Sequence, residues 1–152
     1  MTQQEIQTIL QRQRAYFSTG ATLPVQGRID ALKKLRAALI DNEPRIAQAL
    51  RADLGKAPEE GYMCETGLVI SEISHMLRHI RKFSREQRVA TPLAQFHSRS
   101  YRKPCPYGVV LIMSPWNYPL LLTLGPLVDA LAAGNTAVIK PSAYSPATSA
   151  LL

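Results

Sequence analysis

Cysteine is nearly absent from this chain of 152 residues. Cys64 and Cys105 are the only two, too few for a disulfide framework and without a zinc-ligand spacing. Histidine is almost as scarce: His75 and His79 stand at i and i+4, but no third ligand accompanies them, so a metal centre is not indicated. The long apolar runs of a membrane protein are also missing. The longest apolar stretch, around residues 108–133, is interrupted by Asn117, Pro119, Pro126 and Asp129 and does not span a bilayer as a simple helix. The N-terminal segment MTQQEIQTILQRQR is polar and lacks the apolar core of a signal peptide. These absences lead to the expectation of a soluble, cytoplasmic chain.

Acidic residues are outnumbered, 11 against 18 Lys and Arg, which leaves a net charge of +7. Such an excess invites a nucleic-acid or anionic-membrane partner. The basic residues, however, are spread from Arg12 to Lys140. Their one cluster, Arg78, Arg81, Lys82, Arg85 and Arg88, has the i, i+3 and i+4 spacing of a solvated helix face. Too few aromatic residues lie near it to stack nucleic-acid bases. Gly125 and Gly134 do not form a phosphate-binding GxGxxG, and no repeat or low-complexity segment is present. What remains, with 46% hydrophobic and 19% charged residues, is an ordinary folded chain of one-domain length.

The first half reads as helices. Thr2 and Glu5 fit a capping box, and Ile6, Ile9, Leu10 and Phe17 place an amphipathic helix over residues 3–18. Ile29, Leu32, Leu35 and Leu39 form a second stripe. Asn42 is expected to cap a third helix, with Pro44 in its first turn and Ile46, Leu50 and Leu54 on its buried side. Pro58-Glu59-Glu60 opens a longer helix whose stripe is Leu68, Val69, Ile73, Met76, Leu77, Ile80 and Phe83, with the basic cluster in its last turns. Gly61 and Gly67 weaken its start. Cys64 reads as a small core filler in that helix. Residues 95–103 read as extended.

The pattern then changes to that of a parallel α/β unit. Val109 to Met113 is a continuous apolar run, the signature of a strand buried on both faces. Pro119 is expected at the first position of a helix that Pro126 should kink and that Gly134-Asn135 should stop. Ala137-Val138-Ile139 is a second buried strand, and Ser145-Pro146 reads as the cap and start of another helix. The predicted organisation is a helical segment over 1–90, an extended linker over 91–105, and over 106–152 the start of a doubly wound, Rossmann-like parallel sheet.

Ligands in such folds sit at the carboxyl ends of the strands. Ser114-Pro115-Trp116-Asn117-Tyr118-Pro119 leaves the first strand there, and Lys140-Pro141-Ser142 leaves the second. An Asn amide on a stiff loop can donate to an oxygen that gains charge during reaction, an effect worth roughly 2.7–4 kcal/mol per donor. The alternative is an Asn that makes local turn bonds between two prolines. Lys140 can hold a phosphate or sugar hydroxyls, or it can be a surface lysine at a strand end.

The segment GVVLIMSPWNYPLLLTLGPLVDALAAGNTAVIKPS resembles the corresponding part of the NAD(P)-dependent aldehyde dehydrogenases, essentially without gaps from about Pro106 to Ser145. DLGKAPEEGYMCETGLVISEISHMLRHIRKF is similar to their class 3-like branch with a short N-terminus. The resemblance implies an enzyme that oxidises an aldehyde to an acid through a Cys-bound thiohemiacetal and thioester, with NAD or NADP as cofactor and a homodimer as the assembly. It implies that Asn117 is an oxyanion-hole donor, that Ser114, Pro115, Trp116, Lys140 and Ser142 meet the dinucleotide, and that Tyr118 and Leu122 border the substrate tunnel. Cys105, which precedes the strand, does not match the family's nucleophile. One departure stands out: Ala143 occupies the place of the Glu that usually follows Lys-Pro-Ser and holds ribose hydroxyls, which leaves the choice of NAD or NADP open. The family's catalytic Cys, general-base Glu and pyrophosphate loop all match positions beyond Leu152. The expectation is therefore an N-terminal portion, inactive alone, with a non-catalytic paralogue that binds or hetero-oligomerises as the alternative.

Overall fold

A computed structural model describes residues 2–152. The chain begins with α1 (Gln3–Ser18), opened by the expected capping box, in which the Thr2 hydroxyl accepts from Glu5 N–H and the Glu5 carboxylate accepts from Thr2 N–H. Helices α2 (Val25–Asp41) and α3 (Glu43–Leu54) follow, with Ile29, Leu32 and Leu39 buried from the first and Ile46, Ala49 and Leu50 from the second. Asn42 stands between them at the cap position but does not cap α3. Its side-chain amide donates back to the Ala38 carbonyl, and its oxygen accepts from Arg45.

The helix expected from Pro58 onward is interrupted. A short α4 (Pro58–Gly61) passes through a π-helical turn (Tyr62–Thr66) into α5 (Gly67–Phe83). Gly67, which weakened the sequence pattern, is required by the wide turn: a Cβ there would lie 2.9 Å from the Tyr62 carbonyl oxygen. Val69, Ile73 and Ile80 carry the buried stripe of α5. Leu68 lies one step off that face and Phe83 ends the helix against the His79 ring, so both are half exposed, at 47% and 48%. The helix stops before Arg85 and Arg88, so the basic cluster is not one helical face. Arg88 belongs instead to β1 (Gln87–Val89), which pairs antiparallel with β2 (Ser100–Arg102). The expected extended stretch over 95–103 is therefore strand only at its end, and a 3-10 turn (Leu93–Gln95) precedes it.

The second sheet is the predicted parallel crossover. β3 (Val109–Met113) pairs in parallel with β4 (Thr136–Lys140), joined by α6 (Leu121–Ala133) and followed by α7 (Pro146–Leu151). The burial of β3 on both faces is not realised, because Leu111 is 60% and Met113 69% exposed while Ile112 is buried. Helix α6 covers one face. Helix α1 packs where Phe17 lies against Gly108, at the entry of the strand, and leaves Leu111 and Met113 open. Pro119 is not the first helical residue either: it lies in a turn, and α6 begins at Leu121 and runs through Pro126. One core joins α2, α3, α5 and α6 through Leu32, Leu50, Ile73, Leu120 and Val128, each almost fully buried and each worth about 1.5–3 kcal/mol of burial. Among the described residues no helix is long and apolar enough to cross a membrane, and no group of metal-ligating side chains is present.

Gly134 and Arg28 lock the end of α6. Gly134 has φ +90° and an added Cβ would lie 2.7 Å from the Arg28 guanidinium carbon. That guanidinium cannot easily move, since it donates to the carbonyls of Thr22, Leu23 and Ala132. Burial pushes its pKa below the usual arginine value. Gly134→Ala is expected to destabilise the fold by roughly 1–3 kcal/mol, read as a lower urea midpoint at unchanged slope. An unchanged midpoint would refute the steric lock.

Candidate functional site

The parallel register sets Met113 opposite Lys140, and the Ser114 N–H donates to the Lys140 carbonyl at 3.2 Å. The two strands therefore end side by side, and the loops bearing the predicted residues leave the same sheet edge. In the first loop Ser114 is buried. The Thr123 hydroxyl lies 2.5 Å from the Pro119 carbonyl and 2.6 Å from the Ser114 hydroxyl. It has one proton, and the carbonyl can only accept, so Thr123 donates to Pro119 while Ser114 donates to Thr123. The Ser114 side chain thus serves the loop, and Pro115, Trp116, Asn117 and Tyr118 are left at the surface.

Asn117 is exposed, and its side-chain amide bonds to no described residue, so the local-turn alternative is not adopted. Its backbone carbonyl, in contrast, faces the Lys56 ammonium at 3.4 Å. Lys56 follows the left-handed Gly55 at the end of α3 and is 8% exposed. Its ammonium lies 2.5 Å from the fully buried Glu65 carboxylate and 4.1 Å from the centre of the Tyr118 ring. The other Glu65 oxygen accepts the N–H groups of Leu120 at 2.9 Å and Leu121 at 3.1 Å, the free donors at the start of α6. This is why Pro119 is not needed as the opening residue: a carboxylate from the π-helical turn supplies the cap.

The second loop is held from a neighbouring position. Lys140 and Ala143 are exposed, whereas Ser142 is buried, its hydroxyl accepting from Tyr144 N–H and its carbonyl from the Ser149 hydroxyl. Ser145 does not cap α7 with its side chain. Asp53 does so from α3, accepting from Ala147 N–H, Thr148 N–H and the Thr148 hydroxyl. Leu122 lies in the first turn of α6 and is 38% exposed. The structure thus gathers Ser114 to Tyr118 with Lys140 at one edge, with Leu122 just behind. Sequence reasoning missed Asp53, Lys56 and Glu65. Their only signal was that Asp53 and Lys56 flank a helix end at Gly55 and that Glu65 lies inside a stretch read as helix, and nothing local marks such charges as turned inward.

The sequence model of the aldehyde dehydrogenase family matches residues 1–152. The chain belongs to that family. It is 42% identical to a 4,4'-diaponeurosporen-aldehyde dehydrogenase of Staphylococcus aureus over 88% of this chain and 29% of the relative. It is 41% identical to the dimeric NADP-preferring aldehyde dehydrogenase of Canis lupus familiaris, over 93% of this chain and 31% of that one. The bovine aldehyde dehydrogenase family 3 member B1 is 42% identical over 94% of this chain and 31% of the relative, so the class 3 resemblance holds. A solved Staphylococcus aureus AldH in its substrate-bound state superposes with a TM-score of 0.93 at 39% identity, over 96% of this chain and 32% of that one. The chain therefore spans about a third of the length of these relatives, and its helices and two small sheets are the N-terminal part of the aldehyde dehydrogenase fold.

Asp53 carries a pH dependence. Burial raises its pKa, but the backbone and hydroxyl of Thr148 and the backbone of Ala147 together lower it further, so the net shift is downward. Its contribution is therefore complete above the unfolded value of about 3.9 and is lost as the pH falls through the lower folded value. Asp53→Ala should cost about 0.5–2 kcal/mol at neutral pH. That difference should shrink in unfolding curves taken below pH 4, and a cost that is flat or grows toward acid pH would contradict the assignment.

Proposed function

We propose that this chain forms the substrate-and-cofactor corner of an NAD(P)-dependent aldehyde dehydrogenase, with Asn117 as a donor to the oxyanion that forms when a thiolate adds to the aldehyde carbon. The observation that carries the reading is the Asn117 amide, exposed and unengaged on a loop whose backbone is held on both sides. A donor fixed before reaction stabilises developing charge without reorganising, which is where most of the benefit of such a group arises. In this reading the nucleophilic Cys and the general-base Glu come from residues this chain does not contain, and the 152-residue chain alone forms no NAD(P)H with any aldehyde.

The dinucleotide, when bound, accepts the hydride. The fit of this chain's residues to it rests on the two loops leaving one edge together and on the exposure of Lys140, Pro115 and Trp116 there. Lys140 supplies a cation for ribose hydroxyls, and Trp116 and Pro115 supply apolar walls. Ser142 acts through its loop, since its hydroxyl is already engaged. Tyr118 and Leu122 border the aldehyde path.

At position 143 a Glu would attract ribose hydroxyls and repel a 2′-phosphate, whereas Ala143 does neither. We read this as tolerance of NADP, in keeping with the NADP preference in the name of the canine relative. Homodimer formation is part of the same proposal, supported by the dimeric description of that relative.

Two measurements test the reading, both on the complete polypeptide that carries residues 1–152. Asn117→Ala should lower kcat for aldehyde oxidation by about 10²–10³-fold with little change in KM, and a wild-type kcat would reject the oxyanion role. Ala143→Glu should raise the ratio of kcat/KM for NAD over NADP by about tenfold or more, the scale of one charge-assisted hydrogen bond. An unmoved ratio would remove the cofactor argument.

A further inference from the structure

We infer that Lys56 and Glu65 are positioning residues for Asn117, acting as one buried ion pair that sets the direction of the oxyanion donor. This inference rests on the oxyanion reading of Asn117 proposed above. Its basis is how the contacts are distributed along the loop. The ammonium of Lys56 reaches the Asn117 carbonyl and lies over the Tyr118 ring, and the Glu65 carboxylate takes the N–H groups of Leu120 and Leu121. The pair thus holds the backbone at Asn117 itself and, together with the Thr123–Pro119 bond, on its downstream side, while the Ser114–Thr123 bond holds the upstream side. The peptide carbonyl of a residue and its side chain share one Cα, so fixing the carbonyl of Asn117 fixes the cone in which its amide can point.

Glu65 also caps α6 through the Leu120 and Leu121 N–H groups, at 2.9 and 3.1 Å, while Lys56 meets the Asn117 carbonyl at 3.4 Å, so the pair sets where the helix begins and how the loop enters it. Both are buried, neither offers its charge to solvent, and both come from outside the strand-loop-helix unit they brace. A misplacement of about 1 Å at a reacting group costs on the order of 10²-fold in rate, so a brace at this point acts on kcat rather than on aldehyde affinity. Removing one partner alone would leave a buried charge without its counter-ion and would destabilise the fold for that reason. The informative variant therefore removes both charges.

The experiment measures kcat, KM and the thermal midpoint for Lys56→Met/Glu65→Gln in the complete polypeptide, with and without Asn117→Ala. The expected result is a fall in kcat of about 10–100-fold with KM for the aldehyde within about threefold of wild type. In the Asn117→Ala background the same pair of substitutions should produce no further loss, because there is no donor left to misplace. If the charge-free variant fails to fold, Lys56→Arg is measured in its place. It keeps the ion pair but replaces a compact head group by a planar one, and it should give a smaller kcat loss that likewise vanishes without Asn117. A wild-type kcat in the charge-free variant, or losses that multiply with that of Asn117→Ala, would overturn the inference. Asn117→Ala at wild-type kcat would instead remove the oxyanion reading, and the positioning role with it.

Discussion

A carboxylate and an ammonium buried against each other between α3, the π-helical turn and the start of α6 constrain the rest of this structure. An ion pair without solvent gains little stability over apolar packing of the same volume, since desolvation offsets most of the attraction. What it does provide is direction. Glu65 is fully buried and accepts two backbone N–H groups, so the first turn of α6 has one place to begin. Lys56 neutralises it, and the remaining donor capacity of the ammonium turns toward the Asn117 carbonyl. The loop between β3 and α6 is thereby shaped from below by residues more than fifty positions earlier in the chain.

The same stretch of chain governs the neighbouring loop. Asp53 and Lys56 lie on either side of Gly55, where α3 ends in a left-handed turn. The aspartate caps α7 beyond the Lys140 loop, and the lysine braces the Asn117 loop. One helix end therefore connects both strand-end loops. The helical half of the chain is more than a layer covering the sheet: it carries the charges that hold the strand-end loops in relation to one another. Beside the bonds made within the strand-end loops themselves, those of Asp53, Lys56 and Glu65 join halves of the molecule that a reading by segments treats separately.

Much of this was legible. The capping box of α1, the stripe of α2 and the Gly134 stop appear as read, because each depends on neighbours within a turn or two. The stripe of α3 does so too, except that Ala49 is buried and Leu54 is half-buried. The parallel crossover was visible because each of its strands is a contiguous apolar run. The loop carrying Asn117 and the strand end at Lys140 were also visible, since a change from helical to apolar-run patterning marks where a parallel strand ends. The failures share another cause. Asn42 and Ser145 have the right residue type for caps, yet a bond to the preceding helix in one case and a carboxylate from a remote helix in the other prevail. The apolar run of β3 announced two covered faces, while α6 and α1 leave Leu111 and Met113 exposed. The interruption of the fourth helix had a cue in Gly61 and Gly67, but glycine alone does not distinguish a π-helical turn from a weak helix start.

By itself the sequence determined the family, the order of the main helices and of the two parallel strands, and the chemical type of each residue at the strand ends, because these follow from local periodicity and from motifs contiguous in the chain. Only the tertiary structure decided which of those residues are free to meet a ligand and which are engaged in holding the loops. Ser114 and Ser142 turn inward, and Asn117 and Lys140 remain open. The physical reason is that a polar side chain is committed by the partner it finds on burial. Here the decisive partners, Asp53, Lys56 and Glu65, come from elements distant in sequence.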